Sequence, residues 1–219
     1  MNAPARRPGP FELHLVEAIE LNRSRAPRYA DLTNGASWPI SRALMLSERL
    51  LLPVARWFDR RAEPYHAAGV PLLEDAFVSM AETPEFLDYR APIPPQPRLR
   101  PDSRRIARAS SGAWRADGLP GLCALLEGEL KVLSGEPSYH CMLRHLLEST
   151  LRLAMLAPLH ARQSIDTGMR SSVGISRQMV RLHLWGLRSA IRMDRRAMPL
   201  QQRGIAIIAQ DVPPIPIPE

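Results

Sequence analysis

The chain has 219 residues, of which 45% are apolar, 29 are basic and 22 are acidic, so its formal net charge is +7. A chain of this length buries a sizeable core without disulfide bonds, and its only cysteines, Cys123 and Cys141, exclude a disulfide framework. We find no apolar run of the roughly 20 residues that a membrane span needs, and no secretory signal at the N-terminus. We therefore expect a cytoplasmic protein of bacterial origin, whose basic balance favours anionic partners.

The first part of the chain has helical periodicity. Residues 1–10 contain three prolines and predict a flexible arm. Apolar residues at spacings of three and four predict a helix over 11–25, ended by Pro27. This helix opens an N-terminal helical half that we place at residues 11–90.

Prolines mark the predicted helix starts and breaks in the rest of that half. Ser37 is the predicted N-cap of the second helix, and Pro39 fits its first turn. Pro53 lies inside the same apolar run and predicts a kink or a break. A further helix is predicted near 71–82, followed by a shorter one after Pro84.

The C-terminal helical half is predicted over residues 102–203. It begins with a short helix and a loop, and a helix closed by Gly135 follows. The longest helix is predicted over 136–164, and the last clear helix over 175–197. Residues 204–210 could form a short strand, but no alternation is long enough to demand a sheet.

Two proline-rich segments complete the organisation. Residues 91–101 contain five prolines and predict an extended strap between the halves. Residues 204–219 predict an extended tail. The sequence predicts an all-α fold. Because both halves look helical and neither repeats the other, we expect one orthogonal or bundle-like domain, with a strap and a tail.

The last predicted helix concentrates positive charge. At about 100° per residue, five arginines fall within an arc of about 60° and form a row about 27 Å long; they are Arg177, Arg181, Arg188, Arg192 and Arg195. The helix itself offers only Asp194 as a partner. This row is either a solvated or internally paired face, or a surface for an anionic partner.

The second predicted helix repeats this pattern. Arg42, Arg49 and Arg56 align, with Arg60, in a narrow arc opposite an apolar face. Such a helix could lie in a lipid interface or across a protein core with its arginine side chains outward.

A mixed face on the longest helix suggests chemistry. Cys141, His145 and Glu148 share one face and, with His160, make a candidate metal site for Fe, Mn or Zn. The alternative is a plain acid–base pair of Glu148 with Arg152, beside a core cysteine. If this helix is central, the His145 face meets a polar cavity or acids of other helices, such as Glu17, Glu20 or Glu48.

Three functions follow from these features. The first is a helical accessory protein whose arginine rows dock on an acidic protein, on a second copy of the chain or on a membrane surface, which would make it membrane-peripheral. The second is a metal-dependent enzyme of oxygenase or hydrolase type that uses the His/Glu cluster. Nucleic-acid binding without sequence readout ranks behind both, because no zinc spacing or other recognition motif supports it.

Overall fold

The computed structural model describes residues 7–73, 101–134, 141–203, 205 and 207. These residues form an all-α bundle, as predicted, with five helices: α1 Pro10–Leu32, α2 Trp38–Ala67, α3 Ser103–Ser134, α4 Cys141–Asp166 and α5 Val173–Gln201. Residues 91–100 of the predicted strap, residues 74–90 with the helices predicted there, and nearly all of the predicted tail over 204–219 lie outside the described residues.

The helices pack as two hairpins with α3 beside the second. α1 lies along α2 and α4 lies along α5, while α3 contacts α4 and α5, and α2 reaches α5. One hydrophobic cluster draws buried side chains from all five helices, among them Phe11, Phe58, Ile106, Leu147 and Met179. Burial of these side chains stabilises the bundle by the hydrophobic effect.

The two hairpins are stabilised by the same kind of contact, an aspartate that accepts hydrogen bonds from backbone N–H groups of the other helix. Asp59 near the end of α2 accepts hydrogen bonds from the backbone N–H groups of Phe11 and Glu12, at 3.0 and 2.9 Å. Asp194 in α5 accepts them from Met142 and Leu143, at 2.9 and 3.0 Å. Each carboxylate therefore caps the first turn of the preceding helix in its hairpin, where backbone donors lack helical partners.

A short repeat underlies these contacts. Residues 59–64 read DRRAEP and residues 194–199 read DRRAMP. Ala62 and Ala197 are both fully buried, three residues after the aspartate and so on the same helical face. The sequence prediction that the halves share no repeat missed this pattern, because six residues are too few to stand out without the contacts they make.

Prolines do not end the helices as the sequence predicted. Pro27 lies inside α1, and α2 continues from Trp38 to Ala67 through Pro53 and Pro64. All the prolines inside described helices beyond the first turn are exposed; they are Pro27, Pro53, Pro64, Pro120, Pro158 and Pro199. A proline frees the carbonyl four residues earlier, and on an exposed face water can bond it while the buried face holds the helix together.

Other local predictions have mixed outcomes. Pro39 does lie in the first turn of α2, but Ser37 makes no side-chain cap bond there. Its hydroxyl instead accepts a hydrogen bond from Thr33 at 3.0 Å. The loop predicted before residue 119 is a kink at Gly118, whose φ of 67° favours glycine, inside a helix that continues to Ser134.

Candidate functional site

The arginine row of α5 lies on the outer face of the bundle. Its five members, Arg177, Arg181, Arg188, Arg192 and Arg195, are all exposed. The opposite face of α5 buries Met179, Leu187 and Ala190 in the core. Gly186 faces Leu146 of α4, so closely that a β-carbon there would lie 3.3 Å from the leucine side chain. The apolar face of α5 is therefore used by the fold, and its charged face is left outward.

An exposed tryptophan accompanies the row. Trp185 follows Arg181 by four residues and precedes Arg188 by three, so it shares their side of the helix. Its side chain is 76% exposed, more than any other large hydrophobic residue among those described. Tryptophan and arginine are the residue types most enriched at the energetic centres of protein interfaces.

Carboxylates of the described residues do not neutralise most of the row. Within the described ranges, Arg181, Arg188, Arg192 and Arg195 have no ion pair with any carboxylate. Arg177 is held differently, with its guanidinium 5.3 Å from the ring centre of Trp114 on α3, which is a cation–π contact.

Three of these arginines line a shallow cleft. Arg188, Arg192 and Arg195 face residues 101–103 at the start of α3 across a space of about 460 Å³. Among the described residues of this wall, the one carboxylate belongs to Asp102, which accepts a hydrogen bond from the backbone N–H of Arg104 at 2.9 Å. Those residues thus place three guanidinium groups against one carboxylate that is already hydrogen-bonded.

No family model, no characterised protein and no solved structure matches the chain.

The arginines of α2 divide into two kinds. Arg42 and Arg49 are exposed and have no ion pair within the described part of the chain. Arg56 donates to the Glu12 carboxylate of α1 at 2.6 Å, so its charge is already matched inside the molecule. Exposed apolar side chains of Leu46, Leu50 and Trp57 interrupt this face. None of the described helices has both the length and the apolar character needed to cross a bilayer.

A pocket with both polar and apolar walls lies beneath the first hairpin. It has a volume of about 190 Å³ and lies between α1, α2 and α4, where His145 and Glu48 line it together with Asn22. The sequence predicted that, if this helix were central, the His145 face would meet a polar cavity or an acid such as Glu48; in the structure His145 and Glu48 line the same cavity. His14 and Asn22, which also line the pocket, were missed although both lie in the helix predicted over 11–25, because no local spacing shows which face of α1 meets α2 and α4.

Burial governs the ionisable groups around this pocket. It raises the pKa of Glu48 to about 7, against the opposing effect of the Asn22 hydrogen bond. It lowers the pKa of His145. It lowers the pKa of His183 to about 3, helped by the nearby His145 and His14. These imidazoles are therefore neutral at pH 7, when Glu48 is close to half ionised.

The candidate metal ligands are spread along α4. His160 is buried and lies fifteen residues from His145, which is about 22 Å along a helix. Glu148 accepts from Arg144 at 2.7 Å, and Cys141 lies 3.8 Å from the Gln201 amide nitrogen. Across the described ranges, no group of three or more His, Cys, Asp or Glu side chains is arranged to hold a metal ion.

Proposed function

We propose that this chain is a helical accessory protein whose α5 outer face docks on an acidic surface of a partner protein. The observation that carries the proposal is the exposed Trp185 between arginines that have no carboxylate partner among the described residues. Neighbouring arginines at i,i+4 repel each other by a few tenths of a kcal/mol per pair. An acidic partner would relieve that repulsion and would cover the tryptophan.

A protein partner explains this face better than a lipid surface. A helix that binds at a membrane interface presents an apolar face to the acyl chains. The apolar face of α5 packs against α4, and Trp185 is the one large apolar side chain on its outer side. One tryptophan within an arginine row instead fits an interface with a single apolar anchor and a charged surround.

Nucleic acid is a weaker fit for a different reason. Binding to a duplex is supported by a positive surface that follows the phosphates. Here the Asp102 carboxylate stands in the wall of the cleft that Arg188 and Arg192 line. A protein surface with separate carboxylates can pair with the arginines and avoid that acid.

The decisive experiment uses two charge-matched triple variants. One carries Arg181→Glu, Arg188→Glu and Arg192→Glu on α5, and the other carries Arg104→Glu, Arg108→Glu and Arg115→Glu on the exposed side of α3. A photo-crosslinking amino acid at position 185 first captures the partner, which is then purified and titrated against each variant. We expect at least ten-fold weaker binding for the α5 variant and for Trp185→Ala, with the α3 variant close to the parent chain.

Three outcomes would overturn the proposal. Equal losses in the two triple variants would show that only net charge matters. Tighter binding of the parent chain to phosphatidylglycerol vesicles, with the same dependence on the α5 arginines, would assign the face to a membrane. Tighter binding to a DNA duplex, with affinity falling steeply as salt rises, would assign it to nucleic acid.

A further inference from the structure

The pocket beneath the first hairpin is large enough for a small organic molecule. Its volume is about 190 Å³, and an apolar cavity of about 150 Å³ in another protein accommodates benzene. Apolar side chains form much of its wall; they are Leu15, Ala18, Leu44, Leu51, Met142 and Ile207. The remaining wall is polar and is grouped around Glu48.

Glu48 has one satisfied and one unsatisfied oxygen. Its Oε1 accepts a hydrogen bond from the Asn22 side-chain amide at 2.7 Å. Its Oε2 is buried and has no hydrogen-bond partner. A buried polar atom left unpaired costs about 1–3 kcal/mol, and more when it is charged. A ligand that donates to Oε2 would recover that free energy.

The other polar groups of the wall include hydrogen-bond acceptors for such a donor, and the Glu48 carboxylate is the group that favours a cation. His145 adds no positive charge at pH 7, because burial lowers its pKa. Ser47 and Tyr29 bring hydroxyl oxygens that can accept further hydrogen bonds. Arg25 also lies in this wall and carries a permanent positive charge, which repels a cation, so the Glu48 carboxylate has to outweigh it and a ligand with one positive charge fits better than one with two. An ammonium group would form a charge-assisted bond with the carboxylate, roughly twice as strong as a neutral one.

We propose that the pocket between α1, α2 and α4 binds a small organic ammonium ion, with the Glu48 carboxylate as its counter-ion and the leucine-rich wall around its short apolar chain.

This assignment predicts how binding varies with pH. An ammonium ion pairs with the ionised form of Glu48, so affinity rises as pH rises through the pKa of about 7 and levels off above it. The other titratable groups near Glu48 are His14, Tyr29, His145 and, behind His145, His183. His183, with a pKa of about 3, gains no proton across this range, and burial lowers the pKa of His145, which disfavours its protonation.

The test is calorimetric titration of the full chain with n-alkylammonium chlorides from ethyl to hexyl, at pH 8. At least one of them is expected to bind, with n-butanol and butyrate as neutral and anionic probes of matched length. Glu48→Gln removes the counter-ion and is expected to weaken ammonium binding at least ten-fold. Glu20→Gln, on the exposed side of α1, is the matched control and should bind like the parent chain.

A second variant tests the pocket independently, in case Glu48→Gln fails to fold. Ala18→Leu adds three carbons inside the pocket and should abolish binding while Glu48 stays in place. The proposal fails if none of the alkylammonium ions binds, if n-butanol binds as tightly as n-butylammonium, or if Glu48→Gln binds the ammonium ions with unchanged affinity. It also fails if affinity does not fall between pH 8 and pH 6.

Discussion

Asp59 on α2 and Asp194 on α5 hold equivalent positions in the two helical hairpins. Each is buried and accepts two backbone N–H groups from the first turn of the hairpin's other helix. Side-chain capping within one helix stabilises that helix alone, whereas these contacts cross between helices. They therefore fix where α1 begins on α2 and where α4 begins on α5.

Replacing either aspartate should destabilise the fold strongly. Asp59→Ala and Asp194→Ala each leave two buried donors unpaired, so we expect a loss of about 2–4 kcal/mol in the free energy of unfolding. Chemical denaturation measures it. Asp31→Ala, at an exposed site in α1, is the control and should change stability by less than about 0.5 kcal/mol. Losses below 1 kcal/mol in both buried variants would contradict the capping role.

Gly9 should tolerate no side chain while Asp59 is present. A β-carbon at position 9 would overlap the carboxyl group of Asp59. We expect Gly9→Ala to destabilise the chain by about 1–3 kcal/mol. In a double-mutant cycle with Asp59→Gly, the two losses should not add, because removing the whole Asp59 side chain, including its β-carbon, makes room for the methyl group. Additive losses would show that the glycine serves some other purpose.

The fold class was readable from sequence because periodicity reports helices directly. The buried face of α5 and the exposed arginine row were both predicted by placing the residues at helical spacing. The helix ends were not predicted correctly, because the rule that a proline ends a helix takes account only of the residues next to it in the sequence. Pro27 and Pro53 remain inside helices whose other faces are held by tertiary contacts.

The pocket was only partly predictable for a similar reason. Its members come from three helices that are far apart in the sequence. Spacing within α4 placed His145 on a polar face, and Glu48 was one of three acids considered for it. The choice between them depends on how α2 lies against α4, which no local pattern encodes. Trp185 was overlooked because a tryptophan at the border of a buried helix face is usually assigned to the core. Only the structure shows that its side chain is exposed.

Pro53 inside α2 gives a prediction about stability, for which Pro39 in the same helix is the control. Pro53 is exposed and removes one helical hydrogen bond, so Pro53→Ala should stabilise the chain by about 1–2 kcal/mol. Pro39 lies in the first turn of the same helix, where no hydrogen bond is lost. Pro39→Ala should give no gain. Thermal unfolding of both variants distinguishes them, and an equal rise in Tm would contradict this account.

Glu48 should make stability fall as pH rises towards neutrality. Its pKa is about 7 in the folded chain against an ordinary value of 4.5, so between these values the folded state holds a proton that the unfolded state has released. Linkage then lowers the free energy of unfolding by up to about 1.4 kcal/mol per pH unit, and by about 3 kcal/mol in all. Above pH 7 both states are ionised and this effect is constant.

His183 acts in the opposite direction, so the measurement must be a difference between variants. Its pKa of about 3 in the folded chain, against an ordinary 6.5, makes stability rise with pH between those values. Subtracting the stability of Glu48→Gln from that of the parent chain removes this contribution, because His183 is present in both. We expect that difference to decline from pH 5 to pH 7 and then to level off, while the difference between the parent chain and Glu20→Gln stays flat. A Glu48 difference that does not change with pH would mean that the carboxyl group is hydrated in solution and that its second oxygen is not deprived of partners.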